Sequence, residues 1–153
     1  QDDRRLRLAA CALTDLCWRD HEKVRAKEAF QRLLLFPFIG VTRSERAFVA
    51  IVVMARYGGK IDAKVLAAVD GLLNPSQLRR AEILGRALLL GHRFSASVPE
   101  ILAQGRLRVD ADAARLEILD PESAPDSDAV QTRLRQFAKS TGVSDWEIVD
   151  VED

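Results

Sequence analysis

The stretch TRSERAFVAIVVMARYGG, residues 42–59, decides the fold of this 153-residue chain. Thr42 followed three residues later by Glu45 is a capping-box pattern, in which each side chain accepts a hydrogen bond from the backbone amide of the other residue. The helix that begins there contains nine consecutive apolar residues, 47–55, and therefore has no polar face. A helix that is apolar all round belongs in the interior. The pattern predicts a central helix, which the following glycine pair ends.

Helical periodicity continues on both sides of this stretch. Apolar residues at spacings of three and four predict an amphipathic helix over about residues 5–17. Residues 18–21 interrupt that pattern and are interpreted as a turn. Further helices follow, so residues 1–104 are predicted to form a helical bundle.

Strand-like alternation replaces the helical period after residue 104. Segments around Leu107 and Leu116 alternate apolar and charged residues, which predicts a hairpin with a four- or five-residue loop. A polar loop at 120–128, a helix and a terminal strand are predicted to follow. We therefore predict a mainly α fold in which residues 105–153 add a small antiparallel β-sheet, packed on the bundle as one structural domain.

Composition places limits on the class of protein. The chain is 48% hydrophobic and 30% charged, enough for one packed core with a solvated surface. No run approaches eighteen apolar residues, so no membrane span is expected. Gln1 in place of an initiator Met leads us to expect a piece of a longer protein. Cys11 and Cys17 fit no pairing or metal motif and favour a reducing cytosol.

Charge is distributed unevenly along the chain. Residues 1–109 hold 19 Lys and Arg against 11 Asp and Glu, a balance of +8, and residues 110–153 hold 4 against 12, a balance of −8. A basic section favours an anionic partner. The alternative is that the two sections attract each other within the fold, and composition does not choose between these interpretations.

Catalytic and metal-binding motifs are not found in the sequence. The only histidines are His21 and His92, and no His-Asp doublet occurs, since Asp20-His21 has the reverse order. The sequence lacks a Gly-x-Ser-x-Gly elbow. Residues 58–60, Gly-Gly-Lys, lack the phosphate-loop spacing and already end a helix. We expect no catalytic residue and no metal ligand in this chain.

Arginines are the residues with the most evident binding chemistry, because the planar guanidinium matches phosphate oxygens. Those on or beside predicted helices are Arg19, Arg43, Arg46, Arg56, Arg79, Arg80, Arg86 and Arg93. As a group they form either an anion-binding face or an ordinary solvated surface with local salt bridges.

Several segments, in order, resemble the C-terminal domain of the exopolyphosphatase/guanosine pentaphosphate phosphohydrolase family. They are RLAACALTDLCWRDH at 7–21, FIGV at 38–41, RAFVA at 46–50, RY at 56–57, AEILGRAL at 81–88 and SA at 95–96. The hairpin and the closing strand also fall where the family has them. One departure is the TRSER sequence at 42–46, where members often carry a histidine.

The resemblance implies an HD-like bundle that has lost the metal ligands of related phosphohydrolases. It also implies a parent enzyme whose N-terminal domains hold the phosphate loops, Mg²⁺ and the catalytic glutamate. Such parents remove terminal phosphate from inorganic polyphosphate or convert guanosine pentaphosphate to tetraphosphate. The family pattern assigns Arg19, Arg46 and Arg56, and next His21, as contacts for the polyphosphate.

Three hypotheses follow. The leading one is a cytoplasmic module that holds the polyanion, contacts its own N-terminal catalytic domains and supports a homodimer, with no membrane and no specific nucleic-acid partner. The second is a purely structural or dimerisation module. The third is a residual HD-type metal phosphohydrolase. The sequence does not separate polyphosphate from guanosine pentaphosphate as the preferred substrate.

Overall fold

The capping box at residues 42–45 forms and begins the central helix. The Thr42 hydroxyl accepts a hydrogen bond from the Glu45 amide at 3.2 Å, and the Glu45 carboxylate accepts one from the Thr42 amide at 2.7 Å. The helix ends at Arg56, and every apolar residue of 47–55 is buried. Gly58 then adopts a left-handed conformation with φ of 81°. The predicted apolar central helix is confirmed.

The computed structural model describes residues 2–120 and 127–151. Within those ranges the elements are, in chain order, α1 Asp2–Ala12, α2 Arg25–Leu35, α3 Arg43–Arg56, α4 Ala63–Ala68, α5 Pro75–Ser95, α6 Pro99–Leu102, β1 Gly105–Val109, β2 Ala113–Ile118, α7 Asp128–Thr141 and β3 Asp145–Asp150. The predicted mainly α class with a small sheet near the C-terminus is confirmed.

The chain divides into two compact units, one ending at Leu88 and the other beginning at Leu89. The first unit contains α1 to α4 and the first part of α5, and its core is built around α3. Against α3 the second helix buries Ala29, Phe30 and Leu33. The domain division that the sequence predicts, between residues 104 and 105, stays a prediction.

Helices α3 and α5 approach each other closely at Gly85. A Cβ atom added at this glycine would lie 2.4 Å from the carbonyl oxygen of Val52 and 2.5 Å from the Cβ of Ala55. Such distances are shorter than any real carbon contact, so only glycine fits there. The absence of a side chain at Gly85 lets α5 lie directly on the backbone of α3.

The sheet of the second unit has the strand order β1-β2-β3. Strand β1 pairs antiparallel to β2, with Leu107 opposite Leu116. Strand β3 pairs parallel to β2, with Ile148 opposite Leu116. Residues Ala114, Leu116 and Ile118 of the central strand are buried.

The parallel pairing of β3 corrects the predicted sheet, which was antiparallel throughout. The chain passes from β2 through α7 before it reaches β3, and a helical crossover is the usual connection between parallel strands. The hairpin loop also differs, because only residues 110–112 separate the strands and Ala113 and Ala114 belong to β2. Positions 121–126 of the predicted polar loop lie outside the described residues.

The first helix ends at Ala12, earlier than the predicted end near residue 17. The amide of Leu13 is shared between the carbonyls of Ala9 and Ala10, both at 3.1 Å. The amides of Leu16, Trp18 and Asp20 then bond carbonyls three residues earlier. These tight bonds turn residues 13–24 into a series of turns, hereafter the turn segment, which lies before α2.

Candidate functional site

The turn segment is tied to the core at Cys17. This side chain is 1% exposed, and its backbone amide donates a hydrogen bond to the Tyr57 hydroxyl at 3.1 Å. Burial raises the pKa of both the Cys17 thiol and the Tyr57 phenol, so both groups are neutral near pH 7. This hydrogen bond holds the middle of the turn segment against Tyr57, the residue that follows α3.

Arg19 lies on the exposed side of this segment. Its guanidinium carbon is 5.0 Å from the centre of the Trp18 ring, and the Trp18 side chain is itself 58% exposed. Stacking on an aromatic face orients a guanidinium while leaving its N–H donors open to solvent. Among the described residues no carboxylate forms an ion pair with Arg19, so its charge is available to an anion.

His21 is also exposed and lies two residues after Arg19. Its Nδ1 atom accepts a hydrogen bond from the Lys23 amide at 3.2 Å. A neutral imidazole that accepts at Nδ1 carries its proton on Nε2. His21 therefore presents a donor at Nε2 on the same exposed turn as Arg19.

Asp20 lies between these two residues, and both its carboxylate and its backbone carbonyl contact arginine side chains. Its Oδ2 atom is 3.1 Å from Arg32 Nη1, an ion pair without the geometry of a directed hydrogen bond. Its carbonyl accepts from Arg25 Nε at 2.7 Å. A carboxylate held against arginine is a poor ligand for a cation, so Asp20-His21 does not fit a metal ion. Within residues 2–120 and 127–151, no three His, Cys, Asp or Glu side chains come together as possible metal ligands.

Arg56 supports the turn segment from the end of α3. Its side chain is 14% exposed, its Nη2 atom is 3.3 Å from Asp15 Oδ1, and its guanidinium carbon is 4.5 Å from the centre of the Tyr57 ring. Burial lowers the pKa of the guanidinium, although it remains charged at neutral pH. Its Nε atom is buried without a hydrogen-bond partner. These contacts make Arg56 mainly a support for the turn.

Arg46 lies at the other end of α3. Its Nη1 atom donates to the Phe36 carbonyl at 2.9 Å, and its Nε atom is buried without a hydrogen-bond partner. Ten residues of helix separate it from Arg56, a distance of about 15 Å along the axis. The structure thus brings Arg19, His21 and Arg56 to the turn segment and places Arg46 elsewhere.

A family model described as exopolyphosphatase, C-terminal, matches residues 1–147 of the chain. The chain belongs to the exopolyphosphatase C-terminal family. No curated protein gives a significant match. As a member of the exopolyphosphatase C-terminal family, the chain carries this family's pattern on the elements described above, and the exposed turn with Arg19 and His21 lies within the matched residues.

Two arginines that contact the turn were not singled out by sequence reasoning. Arg25 and Arg32 of α2 both bind Asp20 of this exopolyphosphatase C-terminal domain. They are seven residues apart, which is two helical turns and therefore the same helix face. That spacing predicts a basic face on α2, and the structure shows that this face contacts the turn segment.

None of the helices in the described ranges combines the length and the apolar character that crossing a bilayer requires.

Proposed function

We propose that this chain is the part of an exopolyphosphatase-type enzyme that holds the polyanion and contributes to a homodimer. The parent would remove terminal phosphate from inorganic polyphosphate or convert guanosine pentaphosphate to tetraphosphate in the cytoplasm. The chemistry, including Mg²⁺, would take place in N-terminal catalytic domains that contact this one. Membership of the family supports the parent activity, and the remaining elements are proposals.

The observation that carries the proposal is the exposed Arg19 guanidinium, held by Trp18 beside His21 on an anchored turn. A processive enzyme must retain a long polyanion between successive cuts, and cations at the surface do so electrostatically without blocking its movement. Because the turn is fixed by the Cys17–Tyr57 hydrogen bond, these donors are already positioned before the ligand arrives.

Arg56 and Arg46 are less available to a polyanion than Arg19 is, because both contact protein groups. Each donates one hydrogen bond to a protein group, Arg56 to Asp15 and Arg46 to the Phe36 carbonyl, and the Nε atom of each is buried. We assign Arg56 as a positioning residue for the turn segment. Arg46 holds the chain between α2 and α3 and would meet a polyanion only if the ligand extended along α3.

An exposed apolar corner supports the dimer. At the last residue of α2 and just after it, Leu35, Phe36 and Ile39 are 77%, 55% and 100% exposed. Large apolar side chains grouped at one corner are typical of protein contact sites. We propose this corner as the part of the first unit that a second copy covers.

Binding of long-chain polyphosphate at increasing NaCl concentrations tests the polyanion role. We expect the double variant Arg19→Gln/His21→Gln to bind several-fold more weakly at low salt and to show a shallower dependence of log K on log salt, because fewer cations meet the chain. Arg106→Gln is the matched control, since Arg106 is exposed on β1 and makes no ion pair among the described residues. Unchanged affinity and salt dependence in the double variant would contradict the proposal and favour the structural alternative.

Phosphate release from long-chain polyphosphate with Mg²⁺ tests the division of labour. We expect the full parent enzyme to be active and this chain alone to release no phosphate. Release by this chain alone would favour the residual-hydrolase alternative instead.

A further inference from the structure

Four of the chain's five lysines line a single groove in the first unit. Lys27 lies on α2 and Lys23 at the end of the turn segment just before it, while Lys64 lies on α4 and Lys60 just before that helix. The groove is about 510 Å³ in volume, and none of the chain's eighteen arginines is among the described residues that line it. We call it the lysine groove. The separation of the two basic residue types indicates a different ligand from the one proposed for the turn segment.

The floor of the lysine groove is apolar. Its apolar side chains are those of Ala26, Phe30, Leu34, Leu35, Met54, Val65 and Ala68, and Leu35 also belongs to the exposed apolar corner described above. Among the described lining residues the only acidic one is Asp62, and its carboxylate already accepts hydrogen bonds from the amides of Lys64 and Val65 at the start of α4. Gln31 is the one uncharged polar side chain among the described lining residues, so the groove keeps a positive balance beside a mainly apolar floor.

This combination disfavours inorganic polyphosphate as the occupant. A chain of phosphates gains nothing from an apolar floor and loses water where it meets one. Lysine also suits an apolar groove better than arginine does. Its ammonium is a mobile point charge on a long apolar stem that can cover apolar surface, whereas arginine's fork suits phosphate oxygens.

The position of the lysines matches an occupant with several separate negative charges. Each side of the groove carries two lysines, one on a helix and one on the segment just before it, so the four charges are spread over the lining. The eleven residues of α2 extend about 16 Å, the length of three turns of helix. An anion with a single charged head would leave most of these lysines without a partner.

We propose that the lysine groove binds an amphipathic helix of another protein segment, with its apolar face on the floor and acidic side chains along both edges. Helix-in-groove recognition uses this arrangement of apolar anchors and flanking charges. The helices of a second copy do not fit, because each described helix of eleven residues or more carries a positive formal charge. The partner is therefore a different, acidic segment.

A designed peptide provides the probe. It is a fluorescently labelled, 14-residue helix-forming peptide with leucines on one face and glutamates flanking them, and a matched peptide has glutamine in place of each glutamate. Fluorescence anisotropy at low ionic strength measures binding to this chain. We expect the glutamate peptide to bind at least about fivefold more tightly than the glutamine peptide, from charge pairing at the walls. Equal affinity, or no binding of the glutamate peptide, would overturn the proposal.

Substitutions in the protein locate the site. Lys27→Gln/Lys64→Gln removes one cation from each wall and is expected to weaken the glutamate peptide about fivefold. Lys139→Gln is the matched control, because Lys139 is the one lysine outside the groove and lies exposed on α7. If Lys139→Gln weakens binding as much as the double variant does, the peptide binds by net charge alone and the proposal is wrong.

A floor variant separates a helix partner from a purely electrostatic one. Ala68 is exposed at the end of α4, so Ala68→Glu places a carboxylate on the floor without removing a lysine. We expect it to abolish peptide binding while thermal unfolding followed by circular dichroism stays as in the wild type. Unchanged peptide binding would show that the floor is not used and would overturn the proposal. None of these outcomes tests polyphosphate binding at Arg19 and His21, which is tested by its own salt-dependence experiment.

Discussion

Tyr57 lies one residue after the end of α3, and its hydroxyl accepts a hydrogen bond from the Cys17 amide 3.1 Å away. Tyr57→Phe removes this acceptor but keeps the aromatic face on which the Arg56 guanidinium lies. A partly buried N–H then has no partner, which costs about 1 kcal/mol in the free energy of unfolding. We expect urea denaturation to show that loss and amide hydrogen exchange to be faster at Cys17.

Exchange at Val53, in the middle of α3, is the internal control for this variant. Faster exchange at Cys17 relative to Val53 would show that the turn segment opens locally. If the two amides keep the same ratio of exchange rates as in the wild type, the Tyr57 hydroxyl does not hold the turn.

At the scale of the element, the capping box at the start of α3 makes the folding stability depend on pH. The hydrogen bond from the Thr42 amide lowers the pKa of the Glu45 carboxyl below its ordinary value of 4.5. A lowered pKa in the folded state contributes stability above the ordinary value, and this stability is lost as the pH falls through the lowered value. Glu45→Gln keeps an acceptor for the capping box but cannot titrate.

We therefore expect the melting temperature of the wild type to fall more steeply than that of Glu45→Gln between about pH 6 and pH 3. The control is Glu100→Gln, an exposed carboxylate on α6, which should keep the steepness of the wild type. Identical pH profiles for Glu45→Gln and the wild type would show that the capping carboxylate does not contribute to acid stability.

The contact between α3 and α5 gives a second prediction for the elements. Gly85→Ala places a methyl group against the Val52 carbonyl oxygen, which belongs to the backbone and cannot move aside cheaply. We expect a loss of about 1–3 kcal/mol in the free energy of unfolding, the usual cost of an overpacked core. Chemical denaturation measures it.

Gly91 is the matched control on the same helix. An added Cβ there would meet only the Leu102 side chain, at an ordinary 3.5 Å. Because alanine favours helix over glycine by up to about 1 kcal/mol, Gly91→Ala is expected to be neutral or stabilising. Destabilisation of equal size at both glycines would contradict a specific close approach at Gly85.

Across the whole molecule, the features that were predictable from sequence are those fixed by local chemistry. The capping box and the unbroken apolar run gave the position and the burial of α3. Glycines marked the ends of α3 and α7, since Gly58 and Gly142 both have left-handed backbones. These signals depend on neighbours in the chain, so a single sequence contains them.

The features that were missed depend on partners distant in sequence. The end of α1 is set by turns around Cys17, whose partner Tyr57 is forty residues away. The direction of β3 is set by its pairing with β2, whereas alternation indicates a strand without indicating its orientation. Both depend on tertiary contacts that a local pattern does not encode.

The candidate site was likewise predictable only in part, because contacts between residues distant in sequence determine which arginines are free. Sequence patterns found Arg19 and His21, which are exposed, but they did not show that Arg46 and Arg56 each bond a protein group and bury their Nε atoms. The lysines of the groove also form a sequence pattern, which was not used to predict a site. Two pairs of lysines spaced by four residues, at 23 and 27 and at 60 and 64, stand in a chain with only one other lysine.

The order of the strands has a consequence for how this molecule meets others. The central strand β2 is enclosed, and the two outer strands carry charges, Arg106 and Arg108 on β1 and Glu147 and Asp150 on β3. Charged outer strands oppose the addition of further strands from another chain. The sheet of this protein is therefore protected against edge-to-edge pairing with the sheet of another copy.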